Sequence, residues 1–237
     1  MERKILSLAL VLALFLGISG GNVLAADDSA ALLTADKGIS LSGFEILKTH
    51  PIFNDVHDSE WYYDYVIYGY GTGLFNGVSA NTFSPAGTMS RAMFATVVYR
   101  LCDSKGMVND NTYDSDFNDV KTTDYYYKAV SWCYSYSIIS GMGDGNFAPD
   151  SPVTRQEAAT MLGRLIKVDE EDNIPRTNYS DVNSIADWAI DYVDVMTYYE
   201  IMSGNTDGTF KPTDSMTRAQ GCKVASVLHQ RFAYVEN

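Results

Sequence analysis

The chain is short of basic charge. Its 237 residues hold 17 Lys and Arg against 30 Asp and Glu, a formal charge of −13. Residues 1–25 contain Glu2, Arg3 and Lys4, so the chain beyond them stands at −14. Such a surface repels phosphate backbones and anionic headgroups, which argues against nucleic acid and membrane surfaces as partners. A local anion site is not excluded, because one placed Arg can hold a carboxylate whatever the overall field. Cysteine is scarce: Cys102, Cys133 and Cys222. An odd count with no C-x-x-C gives neither a disulfide framework nor a zinc site. Cys133 and Cys222 fall in apolar helical patterns and read as small buried residues. His50, His57 and His229 form no H-E-x-x-H, and no G-x-S-x-G occurs, so two common hydrolase signatures are missing. Paired carboxylates are unavoidable in so acidic a chain and say nothing about glycoside hydrolysis. A calcium loop around Asp144-Gly145 fails, because Met142 stands where an oxygen ligand is required and Ser151 where the loop needs Glu. The chain therefore reads as non-enzymatic, with no cofactor.

Long apolar runs are missing too, with one exception. Ile5 to Ile18 follows Arg3-Lys4 and precedes Val23-Leu24-Ala25. That is the pattern of a secretory signal cut after Ala25, too short and wrongly flanked for a permanent span. The expected product is an exported protein with no membrane contact once residues 1–25 are removed. Residues 26–50 show weak periodicity and read as a spacer, with a short helix near Gly43–Lys48 ended by His50-Pro51.

What the chain does have is repetition. Gly141-Met142-Gly143-Asp144-Gly145-Asn146-Phe147-Ala148-Pro149 leads to Thr154-Arg155-Gln156-Glu157. It recurs as Asn205 to Pro212 leading to Thr217-Arg218-Ala219-Gln220, and more loosely as Gly77 to Pro85 leading to Ser90-Arg91-Ala92-Met93. Arg91, Arg155 and Arg218 are spaced 64 and 63 residues apart. Asp-Gly makes a tight turn, and Phe83, Phe147 and Phe210 read as structural plugs. Thr154 and Glu157 fit a capping box, which puts Arg155 at the first helical position. There the free N–H groups and the positive dipole end favour an anion.

Each copy opens on an aromatic and an Asp: Phe53-Asn54-Asp55, Phe117-Asn118-Asp119 and Tyr179-Ser180-Asp181. Trp61 and Tyr125 follow six residues after the Asp and Trp188 seven after, so the third copy has a one-residue insertion. Val66, Val130 and Val193, then Leu74, Ile138 and Ile201, lie in register behind them, before Gly77, Gly141 and Gly204. This predicts about a dozen helical residues ending near a glycine C-cap. Ala95, Ala159 and Cys222, with Val98, Leu162 and Ala225 and then Leu101, Leu165 and Leu228, form one apolar face of a second helix. Each unit is thus helix, loop, helix. The expected boundaries are 51–102, 115–166 and 177–231. Such units bury a core only by packing together. Periodicity does not decide between a closed ring and a stacked solenoid.

Three copies with an F-x-D-V start, a G-x-x-D-G-x-F-x-P loop and a T-R-x-E helix start resemble S-layer homology domains, over about residues 53–231. The resemblance implies an all-α pseudo-threefold assembly with grooves between repeats. It implies non-covalent anchoring of an exported protein to secondary cell-wall polysaccharide of bacteria, often pyruvylated, at the cell wall or S-layer. It ties Arg91, Arg155 and Arg218 most closely to ligand. A pyruvate ketal presents a fixed carboxylate that Arg can hold through paired charge-assisted bonds. Asp55, Asp119, Asp181, Trp61, Trp188 and the glycine loops at Gly77, Gly141 and Gly204 are candidates for sugar hydroxyls and C–H faces. For the three Asp residues a turn or first-helix cap is the stronger reading. Trp61 and Trp188 fit core packing and groove lining equally well, and the tyrosine clusters read as half-buried positions. Glu157 is kept only in the second copy, against Met93 and Gln220. Since the first loop also lacks Asp-Gly, the groove using Arg91 is expected to be the weakest. The alternative is a structural or interaction protein whose repeats bind another surface protein, with glycan binding weak or lost.

Overall fold

Polar loops alternating with short apolar stretches become helix, loop and helix in the computed structural model, which describes residues 52–166 and 173–233. The expected signal at 1–25 and the spacer with its short helix lie outside those residues. The first unit holds α1 (Tyr63–Gly71) and α2 (Arg91–Asp103). The second holds α3 (Tyr127–Ser135) and α4 (Arg155–Gly163), and the third α5 (Ile190–Tyr198) and α6 (Arg218–Ala233). Among the described residues there is no β-strand, so the fold is all-α. The third unit, with its extra residue, winds Val182–Ser184 into a 3-10 turn before α5.

The first helices have 9 residues each, shorter than the apolar spacing predicts. They also stop well before Gly77, Gly141 and Gly204, so those glycines are not C-caps. The left-handed position after each helix belongs to Gly73, Ser137 and Glu200, at φ 74°, 58° and 54°. Gly77, Gly141 and Gly204 serve close approach instead. A Cβ there would run into the ring of Phe53, Phe117 or Tyr179 and a loop carbonyl, from Ser79, Asn146 or Thr209.

The repeats close into a ring. α2 packs on α3 and α4 on α5, and α6 of the third unit returns to α1 of the first. The inner helix α2 also touches α4 and α6. At the centre, the Val153 N–H donates to the Met89 carbonyl, Met89 to Met216, and Met216 to Val153, each at 2.9 Å. This cyclic triangle marks a pseudo-threefold axis, and its three side chains are fully buried. The choice that periodicity leaves open is settled in favour of closure.

The expected core faces are inside, except that α4 ends at Gly163 and leaves Leu165 half-buried beyond it. Phe83, Phe147 and Phe210 are completely buried, as are Val66, Val130 and Val193. Each such Phe contributes about 2–3 kcal/mol. Cys102, Cys133 and Cys222 are all buried free thiols. His229 is buried between the Tyr68 hydroxyl (2.7 Å from Nδ1) and Ser104 Oγ (3.0 Å from Nε2). It thereby ties α6 to α1 and to the end of α2. Burial, with a smaller contribution from Lys105, lowers its pKa to about 4.

Candidate functional site: grooves between repeats

The three arginines reach forward out of their own repeats. Arg91 Nε donates to the Phe147 carbonyl at 2.9 Å, Arg155 Nε to Phe210 at 2.7 Å, and Arg218 Nε to Phe83 at 2.7 Å. Their Nη2 atoms donate to the carbonyls of Ser140, Ser203 and Asn76. Each guanidinium also lies over the ring of that same Phe, 4.6–4.7 Å from its centroid. All three residues are buried, at 4–8 % exposure. Burial pulls the pKa of Arg155 and Arg218 below the ordinary arginine value, yet a guanidinium stays charged at neutral pH. These arginines are therefore first of all staples that fasten each repeat to the next.

The helix starts correct another expectation. The first N–H of α2, from Arg91, donates to the Ser151 carbonyl, and the second, from Ala92, to Pro149. Arg155 and Gln156 do the same to Asp214 and Pro212, and Arg218 and Ala219 to Gly87 and Pro85. The third N–H goes to the Ser90, Thr154 or Thr217 hydroxyl. Glu157 and Gln220 complete reciprocal caps on Thr154 and Thr217. With three donors used at each, the starts of α2, α4 and α6 offer no N–H groups to an anion. The helix termini turn inward to join the ring, which the local pattern does not reveal.

Asp55, Asp119 and Asp181 do not cap the first helices, which have no side-chain caps. Both oxygens of each carboxylate accept backbone N–H groups of their own repeat's loop, from Phe83 and Ser84, Phe147 and Ala148, or Phe210 and Lys211. The second residue of each pair is left-handed without being glycine, at φ 60°, 58° and 54°. The carboxylate thus holds a strained turn that seats the Phe plug.

Two grooves follow from the ring. One, of about 460 Å³, is lined by Arg155 of the second repeat, the Ser203–Thr206 turn with Gln220 and Lys223 of the third, and Trp61 of the first. The other, of about 400 Å³, is lined by Arg91 of the first repeat, Ser140–Met142, Glu157 and Arg164 of the second, and Trp188 of the third. Both of these grooves draw on all three repeats and exist only in the closed ring. Trp61, Trp188 and Tyr125 are 56 %, 53 % and 70 % exposed, so the two tryptophans are groove walls and not core. Gly204 and Gly141 lie in the same two cavities. Arg218 meets the Gly77 loop through the Asn76 carbonyl, while Asp55, Asp119 and Asp181 line neither cavity. Because each Arg serves the next repeat's loop, Met93 and the degenerate first loop do not belong with Arg91. The partners of Arg91 are the intact second loop and Glu157.

Sequence reasoning missed Lys223, Gln220, Arg164 and Met142. Counted from each Arg, positions four, seven and ten mark the buried face of the second helix. Positions two, five and nine (Glu157, Lys223, Arg164) mark the groove face, and that complementary stripe is the signal that could have found them.

The profile of the S-layer homology domain matches residues 52–95, 116–159 and 178–220, more than half of the chain. Curated relatives agree. An endoglucanase of Bacillus sp. (strain KSM-635) is 34% identical over 76% of this chain and 19% of its own length. A cellulosome-anchoring protein of Acetivibrio thermocellus is 26% identical over 63% of this chain and 35% of its own length. An S-layer protein of Bacillus licheniformis is 24% identical over 78% and 20%. The chain spans about a third of the length of these relatives or less, so what is shared is their repeat segment. Three matched repeats, closed into one ring, place the chain in the S-layer homology domain family, a family of bacterial cell-surface anchoring modules.

Proposed function

We propose that the module anchors at the cell surface by seating a pyruvylated terminus of a secondary cell-wall polysaccharide in its inter-repeat grooves. The observation that carries this reading is the co-location of an exposed Trp, an Arg edge and a polar turn in one cavity. An indole face suits the C–H face of a sugar ring. The Ser203–Thr206 turn brings hydroxyl and amide groups to the cavity wall, the donors and acceptors that sugar hydroxyls pair with. Arg155 spends Nε and Nη2 on the staple, and Nη1 has no protein partner among the described residues. That edge is the donor a ketal carboxylate would meet. A cavity of about 460 Å³ takes one or two sugar rings, as small-ligand sites do.

No part of this chemistry breaks a bond, so the role is binding and not catalysis. The full chain should sediment with Gram-positive walls. Binding should survive cleavage of the peptide cross-links and disappear once the secondary polymer is extracted. Retention on polymer-free walls would overturn the glycan reading and point to a protein partner.

A further inference from the structure

The grooves are not electrostatically equivalent. In the Arg91 groove, Nη1 of Arg91 donates to Glu157 Oε1 at 2.7 Å, and the side chains are only 5% and 17% exposed. The third edge of this guanidinium is therefore occupied and its charge paired inside the cavity. That leaves Arg164, its Nη1 on the Ile138 carbonyl and Ser140 Oγ, as the one unpaired cation of that lining among the described residues. In the Arg155 groove Gln220 stands at the matching position. Gln220 keeps the cap through its Oε1, which accepts the Thr217 N–H at 3.0 Å, but it brings no charge. Lys223 then adds a second cation to that groove, where the other two repeats have Thr96 and Thr160. No carboxylate lines the Arg155 cavity, and none pairs with Lys223 among the described residues.

We infer that an anionic glycan terminus selects the Arg155 groove, with Lys223 as a specificity-determining second cation, and that Glu157 holds the Arg91 groove at a disadvantage for carboxylates by occupying the free edge of Arg91. This rests on the glycan reading above. A bound carboxylate placed beside Glu157 would meet a like charge within a half-closed cavity, which costs affinity. One placed beside Arg155 meets two cations and no anion in the cavity lining, with Asp214 and Asp181 acting on Arg155 from outside it.

The repeats supply their own conservative variants. Glu157→Gln copies the residue at 220 and keeps the cap. Lys223→Thr copies the residues at 96 and 160. The probe is a methyl glycoside carrying a 4,6-pyruvate ketal, with its pyruvate methyl ester as the uncharged control. Binding to the full chain is followed by amide chemical shifts and calorimetry. The wild type should shift Ser203–Thr206 before Ser140–Met142, and the ester should bind more weakly. Lys223→Thr should weaken the probe about fivefold, the size of a partly exposed charge pair, and leave the ester unaffected. Glu157→Gln should add shifts at Ser140–Met142 and raise the stoichiometry by one site. The inference is overturned if the wild type binds first at Ser140–Met142, or if Glu157→Gln opens no site. In either case glycan binding itself still stands. If neither probe nor ester binds anywhere, both the inference and the glycan reading fall.

Discussion

Removing the Arg155 side chain should destabilise the ring as well as strip the groove of a donor. Arg155→Ala deletes two charge-assisted hydrogen bonds, to the Phe210 and Ser203 carbonyls at 2.7 and 2.9 Å. It also deletes the cation–π contact at 4.7 Å. Each hydrogen bond to a charged group is worth about 1.5–3 kcal/mol, and a desolvated cation–π contact about 2. Against this stands relief of burying the guanidinium, the cause of its lowered pKa. The net cost is about 3–5 kcal/mol, as for breaking other buried charged contacts. For a chain of this size that lowers Tm by roughly 8–15 °C. Trp61→Ala, by contrast, removes a side chain from a residue 56 % exposed and should cost about 1 kcal/mol or less. Thermal melts by circular dichroism, backed by urea titration, read both. If Arg155→Ala melts within about 2 °C of wild type while abolishing wall binding, the staple assignment is wrong and Arg155 is a dedicated ligand clamp.

Further outcomes follow from the same contacts. His229 is neutral in the fold, with a pKa of about 4 against an ordinary 6.5. Between those values the unfolded chain binds more protons, so stability falls as pH falls. From pH 6.5 to 5 the loss attributable to His229 should be about 1.6 kcal/mol, and urea titrations of His229→Gln should show that much less pH dependence. Ser137→Gly relieves a left-handed serine at φ 58° and should stabilise by about 0.5–1 kcal/mol; an unchanged or lower Tm contradicts the strain. Asp119→Asn loses one of two acceptors that hold Phe147 and Ala148 and should cost about 2 kcal/mol, read by urea denaturation.

Helix existence and the core were legible because they depend on local spacing. The buried register of Val66, Ala95 and Leu101 and the Thr154–Glu157 box are visible within a few residues of sequence. The grooves were legible only in outline, because their parts come from different repeats. Nothing near Arg91 in the chain says that its guanidinium lands on Phe147, 56 residues on. That one displacement by a repeat explains several differences at once. It makes the arginines staples, uses up the helix-end donors, and moves Met93 out of the groove of Arg91. For Asp119 the turn half of the reading holds and the cap half fails, for the opposite reason. An Asp ahead of a helix is usually a cap, and only the structure shows its carboxylate turned to Phe147 and Ala148.

The most direct measurement is wall binding by Trp61→Ala beside wild type, with Tm recorded for both. The account predicts that binding falls at least tenfold, about 1.4 kcal/mol, while Tm stays within about 2–4 °C. Undiminished binding by a folded Trp61→Ala would contradict the groove as the glycan site.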